Sequence, residues 1–288
     1  MRSILIFFEN GRVGNQLFQY CGIKDLYPNH IVILFGLKDL QKTFCNLDAY
    51  FIGCEWLKRW KLFGMVKGLF RVMVSLRLIS GARESNGVTE NSILSKKGLF
   101  SKISLLDHSF FQSSKVINNL KVTPAINSEL LLEAEKWLAK RRLSKCAHRL
   151  VFVHIRRGDY LLWPSSDFPA YLDFDWYEKA ISLIKKMVDQ PIFIVMGDDS
   201  SYLKEKYRET GDVFISTEVA QLDFAIMSYC QHGILSASTF AWWGGWFSRI
   251  HYRFNGNAVF IAPKYWVGHR RGIWTPPSMV FEWLTYID

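Results

Sequence analysis

A strand-like run, Val151-Phe152-Val153, leads into His154-Ile155-Arg156-Arg157-Gly158-Asp159-Tyr160. Two adjacent guanidinium groups therefore stand at a strand end, with an imidazole and a carboxylate beside them. A guanidinium presents a planar fork of donors that matches phosphate oxygens. Fixed donors of this kind also take up the charge on a departing diphosphate when a group is transferred from it. In that role one of Arg156 and Arg157 binds the β-phosphate while Asp159 orients the other, and these three are the candidate catalytic residues. A structural ion pair at a domain boundary explains the same fragment.

A second constellation follows the apolar run Gly233–Ser236, as Ser236-Ala237-Ser238-Thr239-Phe240 and then Ala241-Trp242-Trp243-Gly244-Gly245-Trp246. Hydroxyl residues at a strand-to-helix junction, here Ser238 and Thr239, offer donors at a helix N-terminus and suit an anion. Plain N-capping accounts for them as well. One helix upstream, Asp223 could accept from guanine N1–H and its 2-amino group. Asp198-Asp199, after the run Ile192–Met196, could touch acceptor or nucleoside, or cap a helix over Ser200–Tyr207.

The third is Gly11-Arg12-Val13-Gly14-Asn15-Gln16-Leu17-Phe18-Gln19-Tyr20, directly after the first apolar run. It lacks the GxGxxG dinucleotide pattern. Glycine there permits positive φ and close backbone approach to a ligand. Gly14, Asn15 and Gln16 would then face a cleft from the first helical turn, although a tight turn without a ligand remains an alternative.

The elements that must position these residues are legible in the hydrophobic pattern. Short runs rich in Ile, Val and Phe, at Ile4–Phe8, Ile31–Phe35, Val151–His154, Ile192–Met196, Val213–Ile215, Gly233–Ser236 and Ala258–Ile261, predict buried parallel strands. Helical periodicity over Trp176–Val188 and Gln221–Cys230 supplies the alternation of βαβ units. Ligands in such α/β sheets collect beyond the strand carboxyl ends, where all three constellations lie. Asn127–Arg142 reads as a helix ending in cations, with a domain boundary just beyond it near Ser144–Arg149. This divides the chain into residues 1–146 and 147–288. Trp60–Leu78 reads as a basic amphipathic helix, either core-facing with a solvated basic side or a membrane-surface contact. Ser80–Lys97, rich in Gly, Ser, Asn and Glu, reads as a loop.

With 288 residues, 49% of them apolar, the chain can bury large cores. Its formal net charge of +10 suits anionic partners without choosing among nucleotide phosphates, nucleic acid and membrane. A nucleic-acid-binding role would place aromatics on a basic surface, whereas the aromatics here fall mostly in apolar runs, so no nucleic-acid partner is expected. Five scattered cysteines, with no CxxC, predict reduced thiols rather than a disulfide framework or zinc ribbon. MRSILIFF reads as a strand rather than a signal peptide, and no apolar stretch reaches the roughly 18 residues of a membrane span. The expectation is a cytoplasmic protein, free or peripheral at the inner face of the membrane.

Taken in order, the three segments GRVGNQLFQY, HIRRGDY and SASTFAWWGGW resemble the α-1,2-fucosyltransferase family. Phe110-Phe111-Gln112-Ser113, Trp176-Tyr177-Glu178-Lys179-Ala180-Ile181 and Ala262-Pro263-Lys264 add to the likeness, which spans most of the chain outside residues 35–105. The resemblance implies a GT-B architecture, two Rossmann-like domains facing a cleft. It implies an inverting, metal-independent transfer without a cofactor. GDP-fucose would be the co-substrate and a galactoside-containing glycan, lipid-linked or not, the acceptor. It further implies that His154 and Asp223 hold guanine, Arg156 the β-phosphate, and Ser238 and Thr239 phosphate oxygens. Asp173-Phe174-Asp175 forms a DxD, the metal mark of another glycosyltransferase fold, but it reads better as the acidic first turn of a helix. Many members carry Asn and Ser where this chain has Ala237 and Ala241. These losses of polar groups near the expected cleft leave open a related GDP-6-deoxysugar such as colitose, or a non-catalytic GDP-sugar-binding protein.

Overall fold

Ile4–Phe8 and Ile31–Phe35 are apolar throughout, as strands covered on both faces must be. They form β1 and β2, paired in parallel with Ile4 opposite Ile31 and Phe8 opposite Phe35. The crossover between them is α1 (Val13–Leu26), and α2 (Lys38–Thr43) follows β2. The computed structural model describes residues 2–53, 56, 62–84, 93–107, 110–112, 117, 120, 123–144, 147–251 and 258–288. They divide into two compact units, Met1–Ala125 and Ile126–Asp288.

The first unit continues with β3 (Phe44–Cys45), β4 (Tyr50–Ile52), α3 (Phe63–Ser75), β5 (Ile79–Glu84), β6 (Ile93–Lys96) and β7 (Phe100–Asp107), and β8 (Ala125–Ile126) falls at the division. Its main sheet has the order β4-β2-β1-β7-β5-β6, and β3 pairs with β8 separately. Only the β5–β6 pairing in the main sheet is antiparallel among the described residues. One face of α3, with Phe63, Val66, Phe70, Met73 and Val74, packs on Ile6, Phe8, Phe35, Ile79 and Leu105. The loop expected over Ser80–Lys97 is therefore corrected at both ends: backbone pairing of Gly81 with Lys96 and Glu84 with Ile93 makes strands there. Its centre, residues 85–92, lies outside the described residues.

In the second unit the strands are β9 (Leu150–Ile155), β10 (Ile192–Gly197), β11 (Val213–Ile215), β12 (His232–Ile234), β13 (Phe260–Pro263) and β14 (Thr285–Ile287). The helices are α4 (Ser128–Lys140), α5 (Phe174–Met187), α6 (Ser200–Lys206), α7 (Ala220–Ser228) and α8 (Thr239–His251). All strands are parallel, in the order β11-β10-β9-β12-β13-β14. The chain winds outward from β9 to β11, then returns to the other side of β9 and winds outward again. That reversal falls between β9 and β12, where a doubly wound sheet opens a crevice at its carboxyl edge.

Burial explains the local choices. Every residue of β9 is buried, and Tyr177, Ala180 and Ile184 turn one face of α5 onto Val151, Val153 and Ile155. Lys185 and Lys186 in the last turn complement its dipole. α4 packs on α7, and Tyr229 donates to Glu135 Oε1 at 2.8 Å. That packing assigns α4 to the second unit, so the compact units part at Ala125/Ile126, upstream of the boundary expected near Ser144–Arg149.

Candidate active site

At the carboxyl end of β9, Arg156 is held from two sides. Its Nη1 lies 2.8 Å from Asp198 Oδ2, its Nη2 donates to Asp159 Oδ1, and the side chain is only 12% exposed. Asp198 follows β10, the strand paired with β9, and its second oxygen accepts from the Arg157 backbone N–H at 2.8 Å. One carboxylate thus fixes both arginines. The backbone comes close enough here that a Cβ on Gly158 would sit 2.5 Å from Asp198 Oδ2, so no larger residue fits without moving the clamp. Arg157 stacks its guanidinium 3.8 Å above the Tyr202 ring, with Asp199 Oδ2 at 3.5 Å from its Nε. Asp199 also caps α6 by accepting from Tyr202 N at 3.0 Å, the capping role open in the sequence.

Across the reversal, His154 Nδ1 lies 2.8 Å from Ser236 Oγ, joining the end of β9 to the segment after β12. Burial, reinforced by the Arg156 cation, pushes this imidazole down to about 3, so it is neutral at physiological pH. Tyr160 donates to the Ala237 carbonyl at 3.1 Å and ties the same two segments together. Ser238 Oγ accepts from Phe240 N at 3.3 Å, the N-cap geometry that opens α8 at Thr239. The Phe240 ring packs 5.2 Å from His154 and 5.4 Å from Phe224, the neighbour of Asp223. Asp223 is buried, and Ser216 donates to its Oδ1 at 2.5 Å. Burial pushes its carboxyl up to about 7, with the Ser216 hydrogen bond lowering it and the Glu218 charge raising it.

The two departures from the family pattern, Ala237 and Ala241, are buried at 1% and 0% exposure, beside the equally buried Ser236 and Ser238. The DxD is a helix start: Asp173 precedes α5 and both its oxygens lie 3.3 Å from Arg270 Nη2, while Asp175 sits in the first turn. Among the described residues no group of three His, Cys, Asp or Glu is placed to hold a metal ion.

In the first unit, Gly11 adopts φ +81°, turning the chain from β1 into α1. Gly14 is buried and Asn15 half-buried, with Asn15 Oδ1 accepting from Gln112 Nε2 at 3.0 Å. This brings Phe110-Phe111-Gln112 onto α1, where Phe111 covers Gly22. Gln16 is a brace: its Nε2 donates to Gly11 O at 3.1 Å and its Oε1 accepts from Leu40 N at 3.0 Å, both inside the fold. Gln16→Leu is expected to strand the Leu40 N–H and lower stability by about 1–3 kcal/mol, read from urea unfolding midpoints. Unchanged midpoints would mean the brace is dispensable. Glu9 is likewise engaged, accepting from Leu37 N at 2.7 Å.

The sequence offers no pointer to Tyr202 and Ser216, and it places Tyr160, Ser236 and Phe240 within these segments without a role. Their signal was positional: each lies at or just beyond the carboxyl end of a strand of this sheet, or near the start of the helix that follows. Adjacency of those ends depends on strand order.

The family model for glycosyl transferase family 11 matches residues 94–271. The O-antigen biosynthesis glycosyltransferase WbnK of Escherichia coli is 25% identical over 295 residues, covering 89% of this chain and 93% of that protein. Galactoside alpha-(1,2)-fucosyltransferase 1 of Homo sapiens is 27% identical over 146 residues, covering 48% of this chain and 38% of that protein. In fold, a crystal structure of POFUT1 in complex with GDP superposes with TM-score 0.52 at 12% identity, covering 90% of this chain and 98% of that one. The family match takes in more than half of the chain and bears out the motif resemblance: this glycosyltransferase belongs to glycosyl transferase family 11.

Proposed function

We propose that the chain transfers L-fucose from GDP-β-L-fucose to the 2-hydroxyl of a galactoside in a glycan, with inversion to an α-1,2 linkage and without a metal ion or other cofactor. The observation that carries this reading is the arginine pair clamped by Asp198 at the reversal of the doubly wound sheet, beside His154 and Ser236. Further support comes from the family and from the E. coli and human relatives.

In the proposed reaction the acceptor oxygen bonds to C1 of the sugar as the C1–O bond to the diphosphate breaks. The electron pair goes to the β-phosphate oxygen, where Arg156 and the start of α8 at Ser238 and Thr239 take up the charge. In this reading the acceptor proton passes to a phosphate oxygen of the departing GDP, while Asp198 and Asp159 stay on Arg156 and Glu9 on Leu37 N. Asp223 and His154 hold guanine. The reading includes a GT-B arrangement, with Gly14 and Asn15 on the acceptor side. It makes the enzyme a cytoplasmic one, peripheral to the membrane, acting on a lipid-linked acceptor.

The test is transfer of labelled fucose from GDP-fucose to a panel of β-galactosides in the presence of EDTA. Product that survives EDTA supports the reading; failure to bind any GDP-sugar would overturn it. Because Asp223 accepts from guanine only as a carboxylate, GDP-fucose affinity is expected to weaken about tenfold from pH 8 to pH 6. The donor diphosphate does not titrate there, and His154 stays neutral throughout. Asp223→Asn should bind weakly with no such pH dependence, as isothermal titration would show. Stability moves in the same window: with its folded-state carboxyl raised to about 7, Asp223 makes the fold bind the extra proton. Its contribution therefore falls as pH rises from about 4 to 7 and is flat above that.

A further inference from the structure

The outer face of α3 is apolar where water should be. Met65, Leu69, Val72 and Leu76 recur at helical spacing and are 69%, 59%, 51% and 65% exposed, while the inner face of the same helix packs on the sheet. The stripe runs into the turn after α3. There Leu99 N donates to Arg77 O at 2.7 Å and Phe100 N to Leu78 O at 2.8 Å, bringing Leu76, Leu78, Leu99 and Phe100 to one place. Leu99 is 76% and Phe100 59% exposed. Isolated exposed apolar residues need no explanation, but a contiguous set of this size marks an interaction surface.

Charge selects the partner. Residues 62–84 and 93–107 contain seven Lys or Arg (Lys67, Arg71, Arg77, Arg83, Lys96, Lys97, Lys102) against two acids, Glu84 and Asp107. Arg77, Arg83, Lys96, Lys97 and Lys102 are exposed. Arg71 is paired with Asp107 at 2.9 Å. An apolar stripe with predominantly basic flanks is the pattern that seats in a headgroup layer, with apolar side chains in the acyl boundary and cations at anionic lipids. A second copy of the chain would bring the same cations against themselves.

We infer that α3 and the Arg77–Lys102 edge form a docking surface for an anionic lipid bilayer. It deepens the peripheral location in the proposed function and is tested separately from transfer. The purified 288-residue chain is sedimented with vesicles of phosphatidylcholine alone or with about one third phosphatidylglycerol. Binding is expected on anionic vesicles and should fade on neutral ones and in high salt. Leu76→Asp/Leu99→Asp should abolish binding. Lys97→Gln/Lys102→Gln should weaken it about fivefold per cation removed. Both variants should keep wild-type melting and wild-type turnover on a soluble acceptor. Absence of binding to anionic vesicles, equal binding to neutral ones, or full binding by both variants would overturn the surface. So would a wild-type dimer in light scattering that the aspartate variant abolishes. Vesicle binding without sugar transfer would leave the surface standing and sink the proposed reaction instead.

Discussion

Arg156→Ala is expected to lower turnover by about 10²–10³-fold, the effect of removing one fixed donor from a site where negative charge develops. Arg156 is suited to this because it is preorganised: Asp198 and Asp159 hold separate nitrogens of its fork, and the Tyr160 ring lies 5.2 Å from the guanidinium. The side chain cannot relax away from a bound diphosphate. The fold should survive, since β9 keeps its ladder to β10 and β12 through backbone groups alone. Arg156→Lys should be nearly as inactive, because a single ammonium cannot span both carboxylates and a phosphate. Arg157→Ala should cost less, about tenfold, since Arg157 is stacked on Tyr202 at the outer side of the pair. The measurement is steady-state kcat and KM for the GDP-sugar, with circular dichroism as the folding control. Ordinary turnover in a folded Arg156→Ala enzyme would remove this residue from the mechanism.

Asp198→Ala comes next in expected size, at about 10²-fold in kcat. Asp198 acts through the arginines as a positioning residue: one oxygen meets Arg156 Nη1 and the other the Arg157 backbone N–H. Losing it frees Arg156 to adopt other rotamers, and small misplacements of a catalytic group are known to cost about this much. It also strands a largely buried guanidinium, lowering stability by roughly 1–3 kcal/mol. Asp198→Asn separates the two contacts. Its amide oxygen can still accept from Arg157 N while its NH2 cannot accept from Arg156 Nη1, so only the Arg156 contact is lost: kcat should stay low and KM move little. Wild-type kcat in the asparagine variant would show that the charge of Asp198 plays no part in placing Arg156.

Much of this was legible in the chain. Ile4–Phe8, Ile31–Phe35 and Val213–Ile215 appear as strands at the bounds their apolar runs predict, because a strand buried on both faces leaves no room for polar residues. The helix bounds over 174–187 and 220–228 follow from periodicity within a few residues. HIRRGDY and SASTFAWW stood out because clustered charge and hydroxyls fall at the carboxyl ends of apolar runs, although ion pairing and N-capping also account for them. The edge strands β4 and β14 were not legible: none of their residues is buried, so no buried apolar run marks them, whereas the equally short β11 ends on buried Ile215. β5 and β6 were hidden in a Gly- and Ser-rich stretch whose pairing is made by backbone groups, which carry no sequence signal.

Residue types and local spacing determined that the chain carries paired arginines, a buried-strand α/β core and a basic helix. Tertiary structure alone decided which of those residues meet. Asp198 reaches Arg156 across 42 positions because β10 pairs with β9, and Ser236 reaches His154 across 82 because β12 takes the other side. It likewise decided that Gln16 braces the fold and that Ala237 and Ala241 are buried. Strand order is set by the packing of whole elements, a sum over many weak apolar contacts that no short stretch of sequence encodes.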